Sequence, residues 1–102
     1  MKFTSDTYFV RTFIFDNNIS MIVRADTINN KIEVEFKNYK TYTINQPDTY
    51  EEFQEMEKVN NEIIKFIDDK SKDMEEAMFA IGTYQKAFQF MYEALEREEE
   101  NE

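Results

Sequence analysis

Residues 73–95, DMEEAMFAIGTYQKAFQFMYEAL, decide the reading of the whole chain. Wound at about 100° per residue, Met74, Ala77, Met78, Ile81, Tyr84, Phe88, Met91, Tyr92 and Leu95 form one broad apolar stripe. The opposite side is not the charged surface of an ordinary helix. It carries Phe79 and Phe90, with Ala80, Thr83, Ala87 and Ala94 beside them. Such a helix packs on two sides, or packs on one and offers the other to a partner. Phe79 and Phe90 are therefore candidates either for burial or for an apolar interface.

Upstream, a second helical segment is expected over about 50–69. Thr49 with Glu52 three residues on forms a capping box. Its apolar side is Phe53, Met56, Val59, Ile63, Phe66 and Ile67, and its outer side holds Glu51, Glu55, Lys58, Glu62, Lys65 and Asp69. The i,i+4 spacings Lys58–Glu62 and Lys65–Asp69 neutralise part of that stripe. Asp73 with Glu76 caps the second helix, expected over about 73–97, and residues 98–102 read as a frayed acidic tail. Gly82 in mid-helix points to close packing against another element.

The first 46 residues alternate with period two instead. Strands are expected at 8–15, 19–25, 31–36 and 41–44, all within 7–45, with Asn17-Asn18 and Asn29-Asn30 as tight turns. Two-residue turns set Ile14 opposite Met21, Val10 opposite Ala25 and Val23 opposite Phe36. The core face is then Val10, Ile14, Met21, Val23, Val34 and Phe36. The other face carries Arg11, Arg24 and Glu35 in a row and an aromatic group, Phe9, Phe13 and Phe15, that is exposed unless another part of the chain covers it. The fold class that follows is α+β in one domain, 1–102: a four-stranded antiparallel meander, then two antiparallel helices packed on one sheet face.

Composition narrows the chemistry. There is no Cys and no His, which removes thiolate nucleophiles, Cys/His zinc sites and imidazole acid–base catalysis. A single Gly removes phosphate-cradling glycine loops. No run of apolar residues is long enough for a signal peptide or a membrane span, so a cytoplasmic protein is expected, in a host cytoplasm if phage-encoded. With 41% hydrophobic residues the chain can fill a core, so disorder is expected only at the ends. The net charge of −10 divides into +1 over residues 1–46 and −11 over residues 47–102. That division argues against direct nucleic-acid binding and for either solubility or a basic protein partner.

Carboxylates are the only catalytic groups in quantity. Glu52-x-x-Glu55 and Asp73-x-x-Glu76 resemble the paired acidic motif of the all-α nucleotide pyrophosphohydrolases of the MazG type. That resemblance implies magnesium held by the two pairs for attack on a nucleoside triphosphate. It covers about 25 residues, and both pairs stand at helix starts, where capping employs the same carboxylates. Asp68, Asp69 and Asp73 lack the alternating ligands and glycine of an EF-hand loop. Phe9, Phe13 and Phe15 beside Arg11 and Arg24 suggest a base-stacking platform, but the acidic chain would repel that ligand.

The expectation is a non-enzymatic binding module without metal or cofactor. Its first form is an acidic inhibitor or decoy of a nucleic-acid-binding protein. In composition it resembles the small Asn/Lys/Ile/Glu-rich proteins that phages direct against host defences, of the anti-CRISPR kind. Its contacts would be Glu51, Glu52, Glu55, Glu62, Asp68, Asp69, Asp73, Glu75 and Glu76. Its second form is an assembly protein, most simply a homo-oligomer, joined through Phe9, Phe13, Phe15, Phe79 and Phe90. An antitoxin or immunity protein shares the charge logic of the first.

Overall fold

Three asparagines in left-handed backbone cut the sheet into its strands: Asn18 at φ 70°, Asn30 at 52° and Asn38 at 71°. Asn tolerates that region better than other residues with a Cβ, and here it serves where glycine commonly would. The computed structural model describes residues 8–100, with side chains through Glu96. Its elements are β1 (Tyr8–Ile14), β2 (Ser20–Asp26), β3 (Lys31–Phe36), β4 (Lys40–Asn45), α1 (Tyr50–Lys70) and α2 (Met74–Glu100). The strands pair antiparallel in the order β1-β2-β3-β4, and both helices cover one face. The expected α+β architecture is present.

The register is not the expected one. The first turn has three residues, not two: Phe15 N donates to Ile19 O at 2.9 Å, Asn18 N donates to Phe15 O, and Asn18 takes the left-handed position after the turn. Phe13 therefore faces Met21, Arg11 faces Val23 and Phe9 faces Ala25. One residue of slip reverses every side chain of a strand. Phe9, Phe13 and Phe15 thus turn toward the helices, with Phe15 only 1% exposed, while Val10 and Ile14 turn outward.

The second turn, residues 27–30, has four residues. Asp26 Oδ1 accepts from Ile28 N and Asn29 N, and its Oδ2 accepts from Asn29 Nδ2 at 2.7 Å. The pairing shifts by two, setting Val23 opposite Val34 and Met21 opposite Phe36. An even shift keeps the faces, so Met21, Val23, Val34 and Phe36 remain core as expected. Asn38 supplies a third turn, with Tyr39 N bonded to Phe36 O.

α1 lies chiefly over β4 and α2 over β1 and β2. The α1 core contacts are Ile63 and Ile67, both fully buried, with Phe66 stacked on Phe36 at 4.2 Å between ring centroids. The buried line of α2 is Ala77, Ala80, Tyr84 and Ala87. These small side chains let the helix sit low on the sheet. Met74, Met78 and Tyr92, expected on the core stripe, are left mostly exposed. Phe90 packs on Phe9 at 5.4 Å, whereas Phe79 is 64% exposed. The even-sided helix is resolved in this way: one aromatic goes in and one stays out.

Both capping boxes form. Glu52 N donates to Thr49 Oγ1, and Glu52 Oε2 accepts from Asp48 N. Glu76 N donates to Asp73 Oδ1, and Glu76 Oε1 accepts from Lys72 N. Glu76 Oε2 also accepts from Asp16 N at 3.0 Å, and Asn17 Nδ2 donates to Lys70 O, so the first β-turn is tied to the turn between the helices. The backbone of α2 is helical through Glu100, and residues 101–102 of the tail expected to fray lie outside the described residues.

Gly82 does not mark a close approach, since a Cβ placed there would meet nothing within 4 Å. A glycine in a helix interior costs about 1 kcal/mol relative to alanine when nothing requires it. Gly82→Ala is therefore expected to raise stability by about 1 kcal/mol, read as a higher urea midpoint at an unchanged slope. A lower midpoint would mean that the position is crowded after all.

Candidate functional site

On α1 the residues Glu51, Glu55, Glu62 and Asp69 recur at spacings of four, seven and seven, which places them along one side of the helix. At about 1.5 Å per residue that flank is roughly 27 Å long. All four are exposed. Glu51, Glu55 and Glu62, together with Asp68 and Glu75, make no ion pair or side-chain hydrogen bond among the described residues. The expected neutralisation does not occur: Lys58 does not close on Glu62, and Asp69 reaches Lys70 at 3.6 Å rather than Lys65. Long side chains on a wet helix surface lose more entropy than such a pair returns.

The nine acidic candidates therefore divide. Glu52, Asp73 and Glu76 are engaged in the caps, and the other six point free carboxylates, or one weakly paired carboxylate in Asp69, into solvent. The open sheet face is different. Its charges are matched, Arg24 to Glu35 at 3.0 Å and Lys31 to Glu33 at 3.4 Å. Asp26, below the ordinary carboxylate pKa because Asn29 Nδ2 bonds its charged form, serves the turn.

The four carboxylates of the magnesium-type motif are not brought together. Among the described residues no group of three or more acidic side chains is arranged to hold a metal ion. Four of the six elements are strands, against the all-α architecture that the motif implies. Among the described residues, too, no helix is long and apolar enough to cross a membrane.

The apolar candidates divide as well. Phe9, Phe13 and Phe15 belong to the core side, Phe90 rests on Phe9, and of the five only Phe79 is largely exposed. Arg11 lies over the Phe9 ring at 4.9 Å, so its stacking capacity is used within the chain. What the sequence did not single out is exposed apolar surface elsewhere: Met74, Met78 and Tyr92 on α2, and Tyr8, Val10 and Ile14 on the outer side of the edge strand β1. A third feature opens where the helices part over the end of the sheet. This cleft of about 140 Å³ exposes almost wholly apolar atoms, among them those of Ile32, Ile44, Met56, Phe88, Met91 and Leu95, and is bordered as well by Asn30, Lys31, Asn45 and Gln46. No pattern in the sequence marks it, because Phe88, Met91 and Leu95 read there only as part of the core stripe.

Comparisons with protein-family models, with curated proteins and with solved structures returned no match to this chain.

Proposed function

We propose that this chain is a non-enzymatic binding module that engages a basic protein surface through the acidic flank of α1, as an inhibitor or decoy of a nucleic-acid-handling protein. The observation that carries this reading is the segregation of unmatched charge. Carboxylates stand free along α1, while the open sheet face is internally paired. A row of free carboxylates on a rigid helix offers fixed negative charge to a groove that otherwise receives phosphates. Contacts are assigned to Glu51, Glu55, Glu62 and Asp69, with Asp68 and Glu75 as neighbours. An antitoxin or immunity protein would use the same flank, and the identity of the captured partner separates the two.

The test is capture from a bacterial lysate on the tagged protein, washed in parallel at low and high salt, with the triple variant Glu51→Lys/Glu55→Lys/Glu62→Lys alongside. The expected result is a nucleic-acid-binding protein retained at low salt, released at high salt and absent from the variant, with purified-partner affinity at least 100-fold weaker. The variant should keep its stability to within about 0.5 kcal/mol at Glu55 and Glu62, which are exposed and make no ion pair among the described residues, and lose up to about 1 kcal/mol at Glu51 in the first turn of α1. Affinity that is flat with salt, or retained by the variant, would reject the decoy.

A second reading rests on Met74, Met78 and Tyr92, which are respectively 79%, 68% and 67% exposed. Exposed methionines and aromatics on one helix suit self-association. Concentration-dependent sedimentation that persists at high salt would favour assembly over the decoy.

A further inference from the structure

The cleft between the start of α1 and the end of α2 has Ile32 and Ile44 of the sheet on one side, Met56 of α1 on another and Phe88, Met91 and Leu95 of α2 facing them. Its volume of about 140 Å³ is close to that of an apolar cavity known to stay dry and to accept benzene, roughly 150 Å³. One aromatic ring or one branched aliphatic side chain would fill it. The cleft is open, so the group can come from outside.

Its banks are acidic. An adjoining depression shares Ile44, Asn45 and Met56 with it and has Glu52 and Glu55 on its wall. The first turns of α1 add Glu51, and Asp48 precedes them. On the other bank Leu95 is followed along the same helix by the exposed Glu96. Lys31 also borders the cleft, but its Nζ is held 3.4 Å from Glu33 Oε1.

We infer that the cleft receives a single large apolar side chain, aromatic or leucine-like, presented between lysines or arginines on a segment of the protein partner. The apolar group supplies desolvation and the flanking cations meet the two banks, the division of labour by which acidic, methionine-bearing grooves take basic amphipathic segments. This rests on the reading of the partner as basic, and adds to it an anchor and a place.

The chain contains no tryptophan, so a single Trp in a peptide reports alone. The probe is a synthetic Lys/Ala peptide with one central Trp, compared with the same peptide carrying Ala for Trp and with a Glu/Ala peptide carrying the Trp. The expected result is a blue shift of the Trp emission on binding, at least tenfold weaker competition by the Ala peptide, and no binding of the Glu peptide. Leu95→Asn, at a position already 42% exposed, should remove the shift and weaken binding at least tenfold while the circular dichroism is unchanged. Equal competition by the Trp and Ala peptides, without a shift, would overturn the cleft and leave the basic-partner reading standing. Equal binding of the Glu and Lys peptides would overturn the charge requirement, and that reading with it. Absence of any binding by the Lys/Trp peptide at millimolar concentration would overturn the anchor outright.

Discussion

Tyr84→Ala is expected to remove about 3–5 kcal/mol of folding stability, as large aromatic truncations in a packed core do. Domains of this size hold only about 5–15 kcal/mol in all, so that loss is a large fraction of the total and the urea midpoint should fall steeply. Tyr84 is the largest of the fully buried side chains, 1% exposed, set between the sheet and both helices. Its ring meets Phe88 edge-on at 5.3 Å, and its hydroxyl donates to Asn60 Oδ1 at 2.7 Å, bridging α2 to α1. Tyr84→Phe keeps the ring and loses only that bond, for about 0.5–1.5 kcal/mol. Burial pushes the phenol above its ordinary pKa, so the folded state resists ionisation that the unfolded chain allows. That contribution is complete below the unfolded value near 10 and is lost as pH rises above it. The wild-type advantage over Tyr84→Phe should therefore shrink above about pH 10. Urea melts of the three proteins at neutral and high pH check both statements. A Tyr84→Ala protein within 1 kcal/mol of wild type would contradict this packing.

The second large effect is a contrast between neighbours. Phe15→Ala should cost about 3–5 kcal/mol, whereas Ile14→Lys should change stability by no more than about 0.5 kcal/mol. Ile14, the last residue of β1, is 64% exposed on the open sheet face, and Phe15, the next residue, is 1% exposed within the core cluster, because successive residues of extended chain face opposite ways. Two-residue turns would put Ile14 inside and reverse the pair of outcomes. Equilibrium denaturation of the two variants therefore reads the register of the first hairpin directly. A costly Ile14→Lys beside a mild Phe15→Ala would mean that the strand lies the other way round.

Both faces of β1 are apolar, which is why the sequence did not settle that register. Val10 and Ile14 alternate with Phe9, Phe13 and Phe15, and periodicity alone cannot choose between two hydrophobic rows. The choice was made in the turn, where Asp16 joined Asn17 and Asn18 to lengthen it by one residue. Signals confined to a few consecutive residues were legible: Thr49 with Glu52, and Asp73 with Glu76, were read correctly as caps. The helix count, the meander and the one-sided packing followed from them. The line along which α2 lies down was not legible. Alanines score as weakly apolar, yet Ala77, Ala80 and Ala87 set the closest approach, and the bulkier methionines were left outside.

Of the candidate site, the acidic excess was plain in the sequence and its division was not. A carboxylate at a helix start reads the same whether it caps or stands free, and only the bonds to Asp48, Lys72 and Asp16 separate Glu52 and Glu76 from Glu51 and Glu55. The cleft required knowing that α2 outruns the sheet, a fact of three-dimensional length rather than of pattern.

The bond from Asp16 N to Glu76 spans sixty positions of the chain, and it has a meaning in time as well as in space. During synthesis each hairpin can close as soon as its second strand emerges. The roof over β1 and β2 is α2, which follows all four strands and α1. At roughly 5–20 residues per second, the first hairpin waits several seconds for its cover. For that interval Phe9, Phe13, Phe15 and Met21 face water on a bare sheet. A nascent chain halted after Lys72 should therefore light up a dye that senses apolar surface, and one extended through α2 should not. The most vulnerable moment in the folding of this domain thus falls before α2 leaves the ribosome.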